Sequence, residues 1–316
     1  MYFLRLIRAT NLSIIVFTMV AIRYGIIVPL LASLGLSPSM PIIDFWLMIA
    51  ATIAIGAAGY VINDYFDQKI DAVNKPHRIV VGKQIHRREA ILLHWIFNGL
   101  AFVIGVYLAY RVQLWWLVIV YLVVIYIFWS YSLSLKRRAI LGNIAVATMA
   151  FLVPFQVMLF EFAWYLHINN SWPESNVLMH LFVYVIGIIT IYSLFAFLTN
   201  FVREIIKDFE DVRGDVRYGR RSLPITLGPV KAKWIVQIVN ALIIGSILIL
   251  YFRFLMKQDQ HYYYLLFLVI TIIVPLIFVI YTTYKAREAT MYSKPGNILK
   301  VVMLMGIIFC FVFGYL

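Results

Sequence analysis

The sequence has little of what a soluble or disulfide-stabilised protein needs. It contains one cysteine, Cys310, so neither a disulfide within the chain nor a cysteine-based metal site can form. Only 13% of its residues are charged, and 64% are hydrophobic. Because an ordinary soluble domain has about a quarter of its residues charged, these shortages exclude that class and indicate a protein embedded in lipid.

Long apolar runs recur along the whole chain. Each has roughly 20 residues, the length that crosses a hydrocarbon core of about 30 Å. Nine are recognisable, at approximately 12–35, 42–62, 89–110, 113–133, 139–160, 177–201, 234–252, 263–284 and 298–316. They are too long and too uniformly apolar for alternating barrel strands, and a helix satisfies its own peptide groups in lipid. The sequence therefore predicts an all-α fold, a polytopic membrane bundle of nine transmembrane helices forming a single domain, 1–316.

The basic residues lie in alternate connections between these runs. Of the 27 Lys and Arg residues, 23 fall on one side of the predicted membrane, mainly in two long loops at about 63–88 and 203–233. By the positive-inside rule this side is cytoplasmic, with the N-terminus inside and the C-terminus outside an inner or plasma membrane. The net charge of +13 follows from this topology and from affinity for anionic membrane lipids, so nucleic-acid binding is not expected.

Two acidic stretches with identical spacing interrupt this basic side. They are NDYFDQKID at 63–71 and KDFEDVRGD at 207–215. Each contains the pattern D-x-x-D-x-x-x-D, which we call the first triplet (Asp64, Asp67, Asp71) and the second triplet (Asp208, Asp211, Asp215). On a helix the second and third aspartates lie about 60° and about 20° from the first, so each triplet projects from one narrow face. Like charges this close repel each other unless a cation lies among them.

The residues in and around the triplets favour magnesium and a phosphate group. Carboxylate clusters suit Mg²⁺, which commonly bridges protein carboxylates to substrate phosphates, and the absence of His or Cys in either stretch argues against zinc. Basic segments accompany the triplets, namely NKPHR at 74–78, SLKRR at 134–138 and RGDVRYGRR at 213–221. We therefore expect a receptor for a Mg²⁺-bound diphosphate at the membrane surface, with a lipid tail on the substrate.

The same segments resemble the signatures of the UbiA superfamily of intramembrane prenyltransferases. NDYFDQKIDAVNKPHR is similar to the first signature, N-D-x-x-D-x-x-x-D followed by N-x-P-x-R, and KDFEDVRGDVRYGRRSLPITLG is similar to the second. YSLSLKRR is similar to the segment that ends the fourth helix of the family. The resemblance covers essentially the whole chain, and the family has nine transmembrane helices, the number reached here from hydropathy.

This resemblance implies Mg²⁺-dependent transfer of a prenyl group from a polyprenyl diphosphate donor. It implies that the acids of both triplets bind metal and act in catalysis: Asp64, Asp67, Asp71, Asp208, Asp211 and Asp215. The substrate-binding residues that it implies are Asn63, Lys75, Arg78, Lys136 and Lys207. Arg23 lies inside the first apolar run, where a charge is costly, so we add it as a candidate for binding the acceptor or a headgroup, with a structural ion pair as the alternative.

The acceptor distinguishes the branches of the superfamily. KDFEDVRGD, GRRSLPITLG and LKRRAILGNIAVA look most like the digeranylgeranylglyceryl phosphate synthase branch, which uses a geranylgeranyl donor and the hydroxyl of geranylgeranylglyceryl phosphate as acceptor. Candidates for binding the acceptor phosphate are Arg213, Arg217, Arg220 and Arg221. Aromatic acceptors of the hydroxybenzoate, dihydroxynaphthoate or homogentisate type, used in quinone biosynthesis, are the alternative. A lipid-phosphate or cation transporter is a remote one.

Overall fold

The structure of the chain is a computed structural model that describes residues 2–74, 76, 79–172 and 176–315. Lys75 and Arg78, which the sequence predicts to bind the substrate, lie outside the described residues.

Almost all of the described chain is helical. The α-helices are α1 (Tyr2–Leu6), α2 (Ala9–Ile22), α3 (Val28–Ala32), α4 (Ile42–Asn74), α5 (Arg87–Val112), α6 (Trp116–Leu133), α7 (Leu141–Asn169), α8 (Asn176–Arg217), α9 (Leu223–Leu227), α10 (Pro229–Arg253), α11 (His261–Leu268), α12 (Val274–Lys285) and α13 (Ser293–Tyr315). The π-helical segments Arg23–Ile27 and Val269–Ile273 join α2 to α3 and α11 to α12. Short 3₁₀ helices form at Leu135–Arg137, Leu255–Lys257 and Ala289–Tyr292, and two short strands, β1 (Arg138–Ala139) and β2 (Arg221–Ser222), pair in parallel.

Nine helical segments within the described residues are long and apolar enough to cross a membrane, which confirms the predicted all-α bundle. They are Ala9–Ala32, Ile42–Asn74, Arg87–Val112, Trp116–Leu133, Leu141–Asn169, Asn176–Arg217, Pro229–Lys257, His261–Lys285 and Ala289–Gly314. Lipid offers no partner for peptide groups, so apolar segments of this length fold as helices. The protein is an integral membrane protein.

Two of these helices extend well past their apolar parts. The sequence predicts loops from about 63 and 203, but α4 continues to Asn74 and α8 continues to Arg217. Proline is absent from both extensions, so every residue in them keeps the N–H donor that a helix needs. Gly219 follows the end of α8 with φ of +70°, a left-handed conformation that commonly ends helices. Both acidic triplets therefore lie on rigid helix rather than on loops.

The buried core has two large apolar clusters. One joins α2, α4 and α7 and includes Met19, Phe45 and Phe160, whereas the other joins α8, α12 and α13 and includes Val202, Leu276 and Leu299. The long helix α8 contributes to both clusters, with Val185 and Ile189 in the first and Val202 and Phe209 in the second, and it packs against α7, α10 and α13. A cavity lies between the two clusters and is lined by residues of both.

Candidate active site

The two acidic triplets lie on neighbouring helices at the same end of the bundle. Asn74, the last residue of α4, connects these helices directly. Its side-chain Nδ2 donates a hydrogen bond to the backbone oxygen of Asp211 at 3.0 Å, and its Oδ1 accepts one from the backbone N–H of Gly214 at 2.8 Å. The equal spacing seen in the sequence therefore corresponds to two facing rows of carboxylates.

Basic side chains contact the first triplet. Nη2 of Arg8 donates to Oδ1 of Asp64 at 2.9 Å. Oδ1 of Asp67 accepts hydrogen bonds from Nζ of Lys136 at 2.6 Å and from Nη2 of Arg220. The Lys136 ammonium also lies 3.5 Å from Oδ1 of Asn63. The structure thus places Lys136 and Asn63, which the sequence predicts to bind the substrate, at the first triplet, and adds Arg8 and Arg220 there.

Among the described residues, an asparagine and an arginine contact the second triplet. Oδ2 of Asp208 accepts a hydrogen bond from Nδ2 of Asn143 at 3.0 Å, and Oδ1 of Asp215 lies 3.5 Å from Nη1 of Arg220. Lys207 donates to Glu204 at 3.4 Å, one turn earlier on α8. Because Arg220 contacts Asp67 as well as Asp215, a single guanidinium bridges the two triplets.

A small β-pairing holds the two cations that contact Asp67 in place. Strands β1 and β2 pair with Arg138 opposite Arg221, and this pairing fixes the turns that carry Lys136 and Arg220. Gly142 lets α7 begin directly beneath the Lys136 turn, since a Cβ at this position would lie 3.0 Å from the Cα of Lys136. The motifs SLKRR and YGRRS, which are distant in sequence, thereby form one wall of the site.

Burial and charge act in opposite directions on these cations. Burial lowers the pKa of Lys136 to about 8, although the adjacent Asp67 carboxylate opposes this shift. For Arg220 burial also acts to lower the pKa, but the carboxylates of Asp67 and Asp215 outweigh it and the pKa is raised. At neutral pH both side chains are cations facing carboxylates.

The donor set fits magnesium by its chemistry. The triplets offer only carboxylate oxygens, and Mg²⁺ keeps several waters and needs only one or two carboxylates when substrate phosphates complete its shell. Within the described residues no three His, Cys, Asp or Glu side chains are grouped closely enough to hold one ion by themselves. Instead, Lys136 and Arg220 share Asp67. The acids therefore suit ions bound through a phosphate and water rather than an all-protein metal cage.

A cavity of about 690 Å³ runs between the two core clusters and ends at the triplets. Its lining is mostly apolar and includes Phe128, Leu250 and Phe313. At one end it reaches Asn63 and Lys207, each of which directly precedes the first aspartate of a triplet. The volume falls in the usual range for small-molecule sites, about 300–1,000 Å³. A substrate with a polar head and an apolar tail would span both regions.

Several predicted residues lie elsewhere. Arg23 is buried in the first span, where its guanidinium lies 3.6 Å from the Glu161 carboxylate and 2.5 Å from the backbone oxygen of Met40. This is the geometry of the structural ion pair that the sequence left open. Three of the four candidates for the acceptor phosphate are exposed and outside the acid cluster, namely Arg213, Arg217 and Arg221.

Sequence reasoning missed three contributors to the site. Arg8 precedes the first span, where a basic residue is explained by the positive-inside rule. Asn143 lies inside an apolar run, where packing between helices explains it, and Asn74 is the first residue of a basic segment. Their contacts join residues 56, 65 and 137 positions apart in the chain, so local patterns could not predict these contacts, although Asn74 is the asparagine of the N-x-P-x-R signature.

These features define a class of protein: a polytopic membrane protein with a lipid-sized cavity that ends at paired carboxylates and cations suited to a metal-bound phosphate. Residues 26–314 match the model of the UbiA prenyltransferase family. The chain belongs to this family.

Individual relatives agree with that assignment, and solved structures share the fold. The digeranylgeranylglyceryl phosphate synthase of Thermococcus gammatolerans is 31% identical over 224 residues, 70% of this chain and 71% of the relative. The synthase of the same name from Thermococcus kodakarensis is 30% identical over 212 residues, 66% of each chain. A solved structure of a digeranylgeranylglyceryl phosphate synthase aligns with a TM-score of 0.58 at 22% identity, covering 98% of both chains. A UbiA homologue from Archaeoglobus fulgidus bound to DMAPP and Mg²⁺ also gives 0.58, at 17% identity and 99% coverage of both.

Proposed function

We propose that this protein transfers a geranylgeranyl group from geranylgeranyl diphosphate to the hydroxyl of geranylgeranylglyceryl phosphate, with Mg²⁺ as cofactor. The observation that carries the proposal is the apolar cavity that ends at Asn63 and Lys207, beside the first aspartate of each triplet. The names of the curated relatives support the acceptor, and the homologue bound to DMAPP and Mg²⁺ supports the donor class and the metal.

The donor's two parts match the two parts of the site. Its prenyl tail would occupy the cavity, and its diphosphate would lie between the triplets. Bound Mg²⁺ would supply positive charge to the phosphate oxygens and stabilise the leaving diphosphate. The residues that would hold it are the aspartates of both triplets: Asp64, Asp67, Asp71, Asp208, Asp211 and Asp215.

The cations beside the triplets would bind the diphosphate. Lys136 and Arg220 share the Asp67 carboxylate, and Lys207 faces the same end of the cavity. Lys75 and Arg78 follow α4 in the chain and remain part of this proposal by their match to the family signature. Fixed cations aimed at a leaving group stabilise the charge that develops as it departs.

The reaction exchanges one C–O bond for another. The bond between C1 of the prenyl chain and the diphosphate oxygen breaks, and the electron pair leaves with the diphosphate. The resulting allylic cation is shielded from water by the apolar lining, which includes Phe128 and Tyr131 near the polar end. The acceptor hydroxyl oxygen bonds to C1, and its proton passes to the released diphosphate, which yields an ether and protonated diphosphate.

The acceptor phosphate needs cations apart from those on the diphosphate. Arg203 and Lys300 line the same cavity from α8 and α13 and lie outside the triplets. Arg203 also contacts the Glu204 carboxylate at 3.3 Å, and we assign the acceptor phosphate to the guanidinium of Arg203 and the ammonium of Lys300.

We also infer that the whole site belongs to one domain and faces the cytoplasm, since most basic residues lie at this end.

A transfer assay on the detergent-purified protein tests the proposal. Labelled geranylgeranyl diphosphate is supplied with Mg²⁺ or EDTA and with geranylgeranylglyceryl phosphate, hydroxybenzoate or dihydroxynaphthoate. We expect a lipid product only with the glycerol phosphate acceptor, only with Mg²⁺, and not with Asp67→Ala or Asp211→Ala. A product with an aromatic acceptor would reject the acceptor assignment. Mg²⁺-dependent donor binding without any product would reject the transfer reaction and favour a transporter.

A further inference from the structure

The side chain of Asn74 makes an unusual connection between the two helices that carry the acids. An asparagine amide offers both donors and an acceptor, and Asn74 uses one of each on the backbone of α8. It donates to the backbone oxygen of Asp211 at 3.0 Å and accepts from the N–H of Gly214 at 2.8 Å. Both contacts fall inside the second triplet, whereas Asn74 lies three residues after Asp71 of the first.

Gly214 makes this connection possible. A Cβ at position 214 would lie 2.5 Å from Nδ2 and 2.7 Å from Oδ1 of Asn74. Alanine would therefore displace the amide from the α8 backbone while leaving every charged group of the site unchanged. Gly214 is buried within α8, a position where glycine itself gives no benefit to the helix. The close approach of Asn74 accounts for the glycine.

The connection opposes a force that the site itself creates. Arg220 offsets part of the repulsion between the facing rows of carboxylates through its contacts with Asp67 and Asp215, and the remaining repulsion tends to separate α4 from α8 when no metal is bound. A hydrogen-bonded amide carries no charge, so it holds the helices together without changing the electrostatics of the site. Two metal-bound phosphates can contact both triplets only if the separation of the triplets suits the diphosphate.

We propose that Asn74 is a positioning residue: through its paired hydrogen bonds to Asp211 and Gly214 it fixes the spacing of the two triplets so that they bind one Mg²⁺-diphosphate together. This inference rests on the proposed function. It assigns Asn74 no contact with the substrate. Its role is exerted through the backbone of α8, and Gly214 is an equal partner in it.

The test measures metal-dependent ligand binding as well as turnover. Purified full-length protein is mixed with a non-reactive thiolo analogue of geranylgeranyl diphosphate, and the Mg²⁺ concentration needed for half-maximal thermal protection is recorded. The variants are Asn74→Ala, Gly214→Ala and the double variant, and Gly99→Ala serves as the control because a Cβ on that helical glycine meets nothing within 4 Å. Melting temperatures without ligand report folding separately.

We expect each single variant to raise the required Mg²⁺ concentration by about 10-fold or more, as loss of a residue that orients metal ligands commonly does. The double variant should be no worse than either single variant, since both break the same contact. An unchanged Mg²⁺ requirement in Gly214→Ala, or additive effects in the double variant, would overturn the proposal. If the wild-type protein itself shows no Mg²⁺-dependent protection, the proposed function fails instead, so the two failures are distinguishable.

If either variant folds too poorly to measure, Asn74→Asp provides the second route. Its carboxylate still accepts from Gly214 but lacks the donor for Asp211, so half of the connection remains. We expect a Mg²⁺ requirement between those of the wild type and Asn74→Ala at pH 7. A requirement equal to that of the wild type would contradict the role assigned to the paired hydrogen bonds.

Discussion

The ammonium of Lys136 lies 2.6 Å from the carboxylate of Asp67, and the guanidinium of Arg220 contacts the same oxygen. One acid of the first triplet is thus neutralised by two cations that come from different connections between helices. In the proposed reaction a diphosphate and its metal ions would give this acid new positive partners and the cations a new anion. The contact between these residues is therefore compatible with both the free and the loaded site.

The first prediction concerns pH. Burial lowers the pKa of Lys136 to about 8, so the free site holds this charge below pH 8 and loses it as the pH rises further. A bound diphosphate stabilises the ammonium, so the dissociation constant of the thiolo donor analogue at saturating Mg²⁺ should rise about tenfold between pH 7 and pH 9. Calorimetric titration at several pH values measures this.

Lys136→Arg is the control for this prediction, because a guanidinium stays charged throughout that range. Its pH profile should be flat between pH 7 and pH 9 even if its affinity is lower at every pH. A wild-type slope that persists in Lys136→Arg would show that another group titrates.

The second prediction compares two aspartates that have different partners. Asp67→Asn leaves two nearby cations without their carboxylate, so it should lower the free energy of unfolding by about 3 kcal/mol. Asp208→Asn keeps an oxygen that can accept the hydrogen bond from Asn143, so its effect on stability should stay within about 1 kcal/mol. Denaturant titration without metal distinguishes the two, and equal losses would contradict this account.

The fold was largely predictable from the sequence because the bilayer imposes one strong rule. Runs of about 20 apolar residues must be helices, and the nine runs correspond to the nine observed spans. The extensions of α4 and α8 were harder to predict. The apolar pattern of each run ends at the membrane surface, whereas the helix continues beyond it because no proline interrupts it. Helical spacing of the aspartates was the better guide to these segments.

The site was only partly predictable. Repetition of D-x-x-D-x-x-x-D identified the acids, and the family resemblance brought Lys136. In contrast, the contacts of Arg8, Asn143 and Arg220 depend on how distant helices pack, and a single sequence carries no record of that packing. For Arg23 the sequence suggested a binding role, because a buried charge inside a span is costly. The structure shows that Glu161, which is distant in sequence, pairs with this charge.

The third prediction tests the pairing of Arg23 with Glu161. Their side chains are only 6% and 8% exposed, and Glu161 also accepts a hydrogen bond from the backbone N–H of Met40 at 3.2 Å. Arg23→Met should therefore lower the free energy of unfolding by about 3–5 kcal/mol, because it leaves a buried carboxylate without its cation. Combining it with Glu161→Gln should restore much of this loss, as measured by denaturant titration.

The catalytic consequence separates the two interpretations of Arg23. If the residue serves only this ion pair, the folded fraction of the double variant should keep the wild-type KM for both substrates. A large rise in the KM of the acceptor in the double variant would instead support the binding role suggested by the sequence.

The fourth prediction concerns the length of the prenyl chain. Gly306 lies on α13 and lines the cavity, and a Cβ at this position would meet nothing within 4 Å. Gly306→Phe should therefore fill part of the 690 Å³ without clashing with the helices. If the cavity holds the prenyl tail, kcat/KM for geranylgeranyl diphosphate should fall about tenfold or more, while kcat/KM for the shorter geranyl diphosphate should change much less.

Gly99→Phe, on the exposed face of α5 and outside the cavity, is the matched control and should alter neither value. Equal losses for both donors in Gly306→Phe would mean that the substitution acts on the protein generally and that the tail lies elsewhere.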